Sequence, residues 1–214
     1  MPSDNYASVS GRVTSIAFRR LGEQGISYTN LQLLVPAVDD RPVASVHTVF
    51  FGRTAEAAYE HLETDRFTHV NGWLQSRRLK SGESVLDLVG EKFRALNSAQ
   101  GVNQVLLCGR VFQPPFYGHP QGRPYLRLLL QVERDAYPRR GREKTDLIRV
   151  TMRGESATRY LSTVHVKDEV CVTGFLRSRW RKGSPLREVQ AIDVQVLTLA
   201  VEEKYHGHPQ TTMA

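Results

Sequence analysis

The amino-acid sequence predicts an all-β fold with short helices, arranged as two tandem five-stranded barrels. Three observations predict it. The chain repeats itself: Gly11-Arg12-Val13 returns as Gly109-Arg110-Val111 at an offset of 98, Phe51-Gly52-Arg53-Thr54-Ala55 as Arg153-Gly154-Glu155-Ser156-Ala157 at 102, and GWLQSRRLKSG, residues 72–82, as GFLRSRWRKG, residues 174–183, again at 102. One four-residue length change in a loop reconciles the offsets, so the repeat is about 100 residues long. Apolar residues alternate with polar ones in short runs, the period of a half-buried strand. A single helix-like segment stands between the third and fourth of five such runs in each repeat.

In the first repeat, strands are expected near residues 8–18, 28–36, 44–51, 67–77 and 84–90. TAEAAYEHLE supplies the helix, with Thr54 at the N-cap, where a hydroxyl can accept from an unpaired amide. SAQG, residues 98–101, is a linker too short to let two units tumble independently, and it divides the chain into domains 1–97 and 102–200 with a short tail, 201–214. In the second repeat, strands are expected near 103–112, 125–134, 146–153, 169–180 and 187–199, with a helix near 155–163. The alternation is clearest in LRLLLQV, which sets Leu126, Leu128, Leu130 and Val132 on one face and Arg127 and Gln131 on the other. Five short strands with one helix after the third fit a small closed barrel better than a sandwich. The OB-fold is the five-stranded Greek-key barrel of that kind, and it commonly binds oligonucleotides on one face.

An apolar content of 40% and a charged content of 24% are ordinary for a soluble globular protein. No stretch approaches the roughly 20 apolar residues that span a bilayer. The first twenty residues have no basic start followed by an apolar run, so no secretory signal is expected and the protein is placed in the cytoplasm, with the nucleoid. Cys108 and Cys171 stand in apolar runs and are expected as unpaired core residues in a reducing compartment. The net charge is +7, unevenly spread: residues 1–100 carry 11 Lys and Arg against 11 Asp and Glu, and residues 101–214 carry 18 against 11. A polyanion should therefore be drawn mainly to the second repeat. No phosphate-binding glycine loop, nucleophile elbow or zinc spacing appears, and the closest histidines, His206 and His208, stand near the terminus. No catalytic residue, metal site or cofactor is expected.

Alternation along residues 169–180 groups Phe175, Arg177 and Arg179 on one face, against Val170, Val172, Gly174 and Leu176 on the other. The same arithmetic groups Trp73, Gln75 and Arg77 in the first repeat. Aromatic rings beside guanidinium groups suit single-stranded nucleic acid, whose unstacked bases lie on the rings while cations follow the phosphates. Arg78 and Lys80 extend the row in one copy, as Trp180, Arg181 and Lys182 do in the other. PRRGREK, residues 138–144, is a basic turn whose Arg139, Arg140, Arg142 and Lys144 could clamp a strand.

These segments, together with NQVLLCGRV, PPFYGHPQGRPY, TDLIRVTMRGESA and VKDEVCVTGFLRSRW, resemble bacterial single-stranded DNA-binding proteins of the OB-fold type. The second repeat carries that pattern at Asn103, Gly109, Arg110, Pro114, Tyr117, Gly122, Pro124, Thr145, Asp146, Gly154, Ala157, Val170, Gly174, Leu176 and Arg179. The first repeat carries it more thinly, at Gly11, Arg12, Gly52, Arg53, Ala55, Glu56, Gly72, Leu74 and Arg77. Two such units in one chain resemble the arrangement of the Deinococcus and Thermus group, where two chains make four OB-folds, so a homodimer is implied. The family's tryptophan after Thr-Asp/Glu is Leu147 here and Val46 in the first repeat; its aromatic before the glycine is kept as Phe51 and replaced by Arg153. The end of the sequence, EEKYHGHPQTTMA, has neither the long Gly/Pro/Gln-rich tail nor the acidic tip by which family members recruit replication and repair proteins, so such partners would be met by another route.

The resemblance and the residues together imply a non-catalytic protein that binds single-stranded DNA with little sequence preference and protects it in replication, recombination or repair. Expected stacking platforms are Phe51, Trp73, Phe175 and Trp180. Expected phosphate ligands are Arg77, Arg78, Arg110, Arg127, Arg149, Arg153, Arg177, Arg179, Arg181 and Lys182. Two alternatives stay open: a replisome, primosome or mobile-element adaptor whose first unit serves dimerisation or partner docking, and an RNA-binding protein.

Overall fold

The computed structural model describes residues 5–21, 25–79, 84–134, 145–181 and 184–198. Eleven strands and two helices follow one another as β1 (Asn5–Leu21), β2 (Ile26–Val35), β3 (Ala44–Phe51), α1 (Gly52–His61), β4 (Phe67–Arg78), β5 (Ser84–Leu96), β6 (Asn103–Val111), β7 (Phe116–Gly118), β8 (Tyr125–Glu133), β9 (Thr145–Arg153), α2 (Glu155–Leu161), β10 (Glu169–Arg181) and β11 (Ser184–Thr198). β1 pairs with β2 and β4, β2 with β3, and β4 with β5, all antiparallel. A short parallel contact, Thr48 to Leu88 and Val49 to Val89, closes the first barrel. The second barrel repeats the circuit through β6, β8, β9, β11 and β10, closed by the parallel contact of Val189 with Val150 and Gln190 with Thr151. These are two tandem OB-fold barrels, joined where β1 runs antiparallel to β6 from Asn5–Leu107 to Val9–Asn103.

Alternation explains the elements. β2 is buried at every second residue, with Thr29, Leu31, Leu33 and Val35 inside. In β8, Leu126, Leu128, Leu130 and Val132 are all buried. Two features depart from expectation. Helix α1 begins at Gly52 and its N-cap is Phe51, in extended conformation with no side-chain cap, so Thr54 lies inside the first turn and does not cap it. β7 was not expected from the sequence; it is a three-residue strand that pairs Phe116 with Arg127 and Gly118 with Tyr125 at the barrel edge.

The repeated GxLxSR motif has a structural account at each position. Gly72 and Gly174 sit at bulges in β4 and β10. A Cβ on either would strike a neighbouring backbone carbonyl, that of Val89 or Gln190, so glycine lets the strand bend close to its neighbour. Leu74 and Leu176 are buried, and their backbones are clamped on both sides by asparagines: Asn5 Nδ2 donates to Leu74 O at 2.8 Å while Leu74 N donates to Asn5 Oδ1 at 2.9 Å, and Asn103 holds Leu176 in the same way at 2.9 and 2.8 Å. Ser76 and Ser178 bridge the barrels. Leu147 N donates to Ser76 Oγ at 3.2 Å, and Ser45 N donates to Ser178 Oγ at 2.7 Å. Arg77 and Arg179 each meet a buried carboxylate, Asp87 and Glu188.

The cysteines correct a sequence expectation. Cys108 on β6 and Cys171 on β10 stand directly opposite each other, Cα to Cα 4.1 Å, and are joined in a disulfide. Both are half-buried and point out of the barrel, because Leu107 and Val172 beside them take the inward positions. Apolar Leu106 on the outer face hides this alternation in the sequence.

Candidate nucleic-acid interface

Each barrel presents an outward face built from four strands. On the first, the pairings Tyr28–Phe51, Asn30–Val49 and Gln32–His47 cross β2 and β3, and Trp73–Val89, Gln75–Asp87 and Arg77–Val85 cross β4 and β5. On the second, Tyr125–Arg153, Arg127–Thr151 and Leu129–Arg149 cross β8 and β9, and Phe175–Gln190, Arg177–Glu188 and Arg179–Leu186 cross β10 and β11. The columns correspond one to one. Trp73 stands where Phe175 does, Phe51 where Arg153 does, and Asp87 where Glu188 does.

The first face is aromatic and nearly neutral. The Tyr28 and Phe51 rings lie 5.4 Å apart at their centroids, and burial pushes the Tyr28 phenol above its ordinary pKa, keeping it uncharged. Asp87 is only 4% exposed. Burial works to raise its pKa, but hydrogen bonds from His47, at 2.8 Å, and from Arg77 outweigh it and hold the carboxyl below the usual range.

The second face is crowded with guanidinium groups. Arg127, Arg149, Arg153, Arg177 and Arg179 share this face with Glu188, which is 0% exposed, is met by Arg179 Nη2 at 3.4 Å and acts electrostatically on Arg149 and Arg177. Burial lowers the pKa of Arg149 and Arg177, and neighbouring arginines lower it further: Arg127 for Arg149, Arg153 for Arg177. One carboxylate does not balance five cations, so the cluster is poised for an anion. Arg127, Arg153 and Arg179 also line a hollow of about 630 Å³ with Phe116, Tyr125 and the His119–Gln121 turn.

The expected site residues divide accordingly. Arg127, Arg149, Arg153, Arg177 and Arg179 come together, and Phe51, Trp73 and Arg77 share the first face. Phe175 is corrected as an open platform: it faces outward, as alternation requires, but is 5% exposed because Arg41 of the first barrel lies over it, 5.4 Å from the ring centroid. Arg110 lies apart from these five. It pairs with Glu169 at 3.2 Å, on the far side of β8 from β9, and so stands outside the cluster. Arg78 is exposed at the end of β4. Trp180 and Arg181 lie on β10 opposite Pro185 and Ser184. Lys80, Lys182, the basic turn 138–144 and the tail with His206 and His208 fall outside the described residues. The position equivalent to Leu147 is Ser45 and not Val46: Ser45 faces outward like Leu147, whereas Val46 is buried in the core. Sequence reasoning missed Tyr28, Tyr125 and Phe116, and also Arg187, which crosses from the second barrel to donate to Ser45 O at 3.0 Å and Gln32 Oε1 at 3.2 Å on the first face. Alternation within ISYTNLQLLV pointed to Tyr28; nothing local pointed to Arg187.

Residues 102–201 match the single-strand binding protein family. That match spans the second barrel. Over the whole chain the structure is similar to the crystal structure of the wild-type single-stranded DNA binding protein from Thermus aquaticus, with 22% identity, 92% of this chain and 94% of that one covered, and a TM-score of 0.73. A deletion and substitution mutant of the same Thermus aquaticus protein aligns at 23% identity over 94% of this chain and 97% of that one, with a TM-score of 0.72. No curated protein matches the sequence. The fold likeness extends through the first barrel, which the family match does not cover. Among the described residues no helix is long and apolar enough to cross a membrane, and no group of three or more His, Cys, Asp or Glu side chains could hold a metal ion.

Proposed function

We propose that the protein binds single-stranded DNA with little sequence preference, without turnover, across the outward faces of both barrels. The arginine cluster supports this most directly: five guanidinium groups share one face with a single buried carboxylate, on a barrel whose residues match the single-strand binding protein family. Bases stack on Phe51, Tyr28, Trp73 and Trp180, and phosphates are met by Arg77, Arg78, Arg127, Arg149, Arg153, Arg177, Arg179, Arg181 and Lys182. The functional units are residues 1–97 and 102–200. The protein acts on DNA in the cytoplasm, in replication, recombination or repair, as a homodimer, with Tyr6 on β1 and Ile192 and Leu197 on β11 exposed.

The test is fluorescence anisotropy of a labelled oligo(dT) of about 35 nucleotides at two salt concentrations, with duplex and RNA competitors. Tight, salt-sensitive binding that duplex barely displaces is expected. Equal competition by duplex, or no binding, would refute the proposal, and stronger competition by RNA would reassign the ligand.

A further inference from the structure

We infer that the two faces divide a bound strand chemically: the second grips its phosphates whether or not they carry bases, and the first takes its bases. This deepens the single-strand reading above and rests on it. The paired columns carry the inference. Where the first face has Asn30, His47, Phe51 and Gln75, the second has Arg127, Arg149, Arg153 and Arg177, so four of the matched positions exchange a neutral or aromatic group for a guanidinium.

Guanidinium groups also lie over the rings of the second face, where Tyr125 and Phe175 are buried and Phe116 stays 50% exposed. Arg153 lies over Tyr125 at 5.3 Å, Arg127 over Phe116 at 4.8 Å, and Arg41 over Phe175 at 5.4 Å. Tyr125 is 7% exposed. At Tyr125 and Phe175 a base would have to displace a guanidinium from a favourable ring contact to stack. On the first face Tyr28 and Phe51 contact each other and stay half-exposed, and the charge of Arg77 is balanced by Asp87. A strand reaching both faces meets a phosphate clamp on one barrel and a stacking surface on the next. The barrels adjoin through reciprocal contacts: Arg41 reaches Phe175 and Arg187 reaches Ser45.

The full chain is titrated with oligo(dT) of about 35 nucleotides and with an abasic tetrahydrofuran chain of the same length, over a salt series. R127Q/R153Q should lower the magnitude of the log–log salt slope by about 1.4, at roughly 0.7 per phosphate contact, and weaken both ligands by the same factor. R127K/R153K keeps the charge and should keep the slope. Y28L/F51L/W73L should leave the slope and the abasic affinity unchanged while weakening oligo(dT) about fivefold or more per lost ring. Circular dichroism melts check folding; should the triple variant melt early, F51L alone carries that arm. An aromatic variant that weakens the abasic chain as much as oligo(dT), or an arginine variant that leaves the salt slope intact, overturns the division. Wild-type protein that fails to bind oligo(dT) at all instead overturns the single-strand reading itself, and the two failures are distinguishable.

Discussion

Asp146 is the most consequential single residue at the junction of the two barrels. Its carboxylate is 1% exposed and accepts four hydrogen bonds: from Arg134 Nε at 2.7 Å and Nη2 at 2.9 Å, and from Ser76 N at 2.9 Å and Oγ at 3.2 Å. Asp146→Ala removes all four. Arg134 is about one-third exposed and can turn to water, so its share is discounted, but the Ser76 amide loses an acceptor in a part-buried seam. Removing one partner of a buried, hydrogen-bonded charge costs about 3–5 kcal/mol, and the discount places this site near the lower end, about 3 kcal/mol. For a chain of this size that corresponds to a fall in Tm of about 6–12 °C. The opposite junction has no such carboxylate, because Ala44 occupies the equivalent position, and Ser178 alone receives the Ser45 amide at 2.7 Å. Ser178→Ala should therefore cost only about 1 kcal/mol. Differential scanning calorimetry of both variants checks the contrast. If Asp146→Ala melts within about 2 °C of wild type, or costs no more than Ser178→Ala, the Asp146 seam does not hold the barrels together as argued.

Three further outcomes are expected. Gly174→Ala drives a Cβ into the Gln190 carbonyl and should destabilise the second barrel by about 1–3 kcal/mol or more, read by urea denaturation. Because His47 and Arg77 hold the Asp87 pKa below its unfolded value of about 3.9, the stabilisation is fully present above that pH and is lost as pH falls through the lower folded value; Asp87→Asn should flatten this part of an acid-unfolding curve. The Cys108–Cys171 bond spans 63 residues of chain, and C108S/C171S should cost about 4 kcal/mol of stability, with alkylation of the denatured, unreduced wild type finding no free thiol.

Most of the architecture was legible because barrels are written in alternation. The repeat, the strands and the inward rows of β8 and β10 all follow from a period of two and from glycines spaced about 100 residues apart. The failures share a physical cause. Phe175 faces outward as alternation requires, but its burial depends on Arg41, 134 positions earlier in the sequence and on the other barrel. Cys108 lies in an apolar run, VLLC, whose outward member Leu106 is itself apolar, so hydrophobicity within that run could not say which way the thiol pointed. Each of these errors concerns which element lies across from a residue, and a local pattern does not carry that information.

The motif that first revealed the repeat encodes assembly more than recognition. In GxLxSR the glycine makes the bulge, the leucine fills the core, the serine bridges to the other barrel and the arginine neutralises a buried carboxylate. These are the positions both copies keep. The two faces diverge at the positions between and opposite them, Asn30 against Arg127, His47 against Arg149, Phe51 against Arg153 and Gln75 against Arg177, where a side chain can change without loosening the barrel. Such a separation lets one scaffold hold two recognition chemistries side by side. Part of the charge asymmetry between the halves of the sequence then has a location, the face that holds Glu188, where Arg127 and Arg153 lower the pKa of Arg149 and Arg177 and an anion would relieve that repulsion.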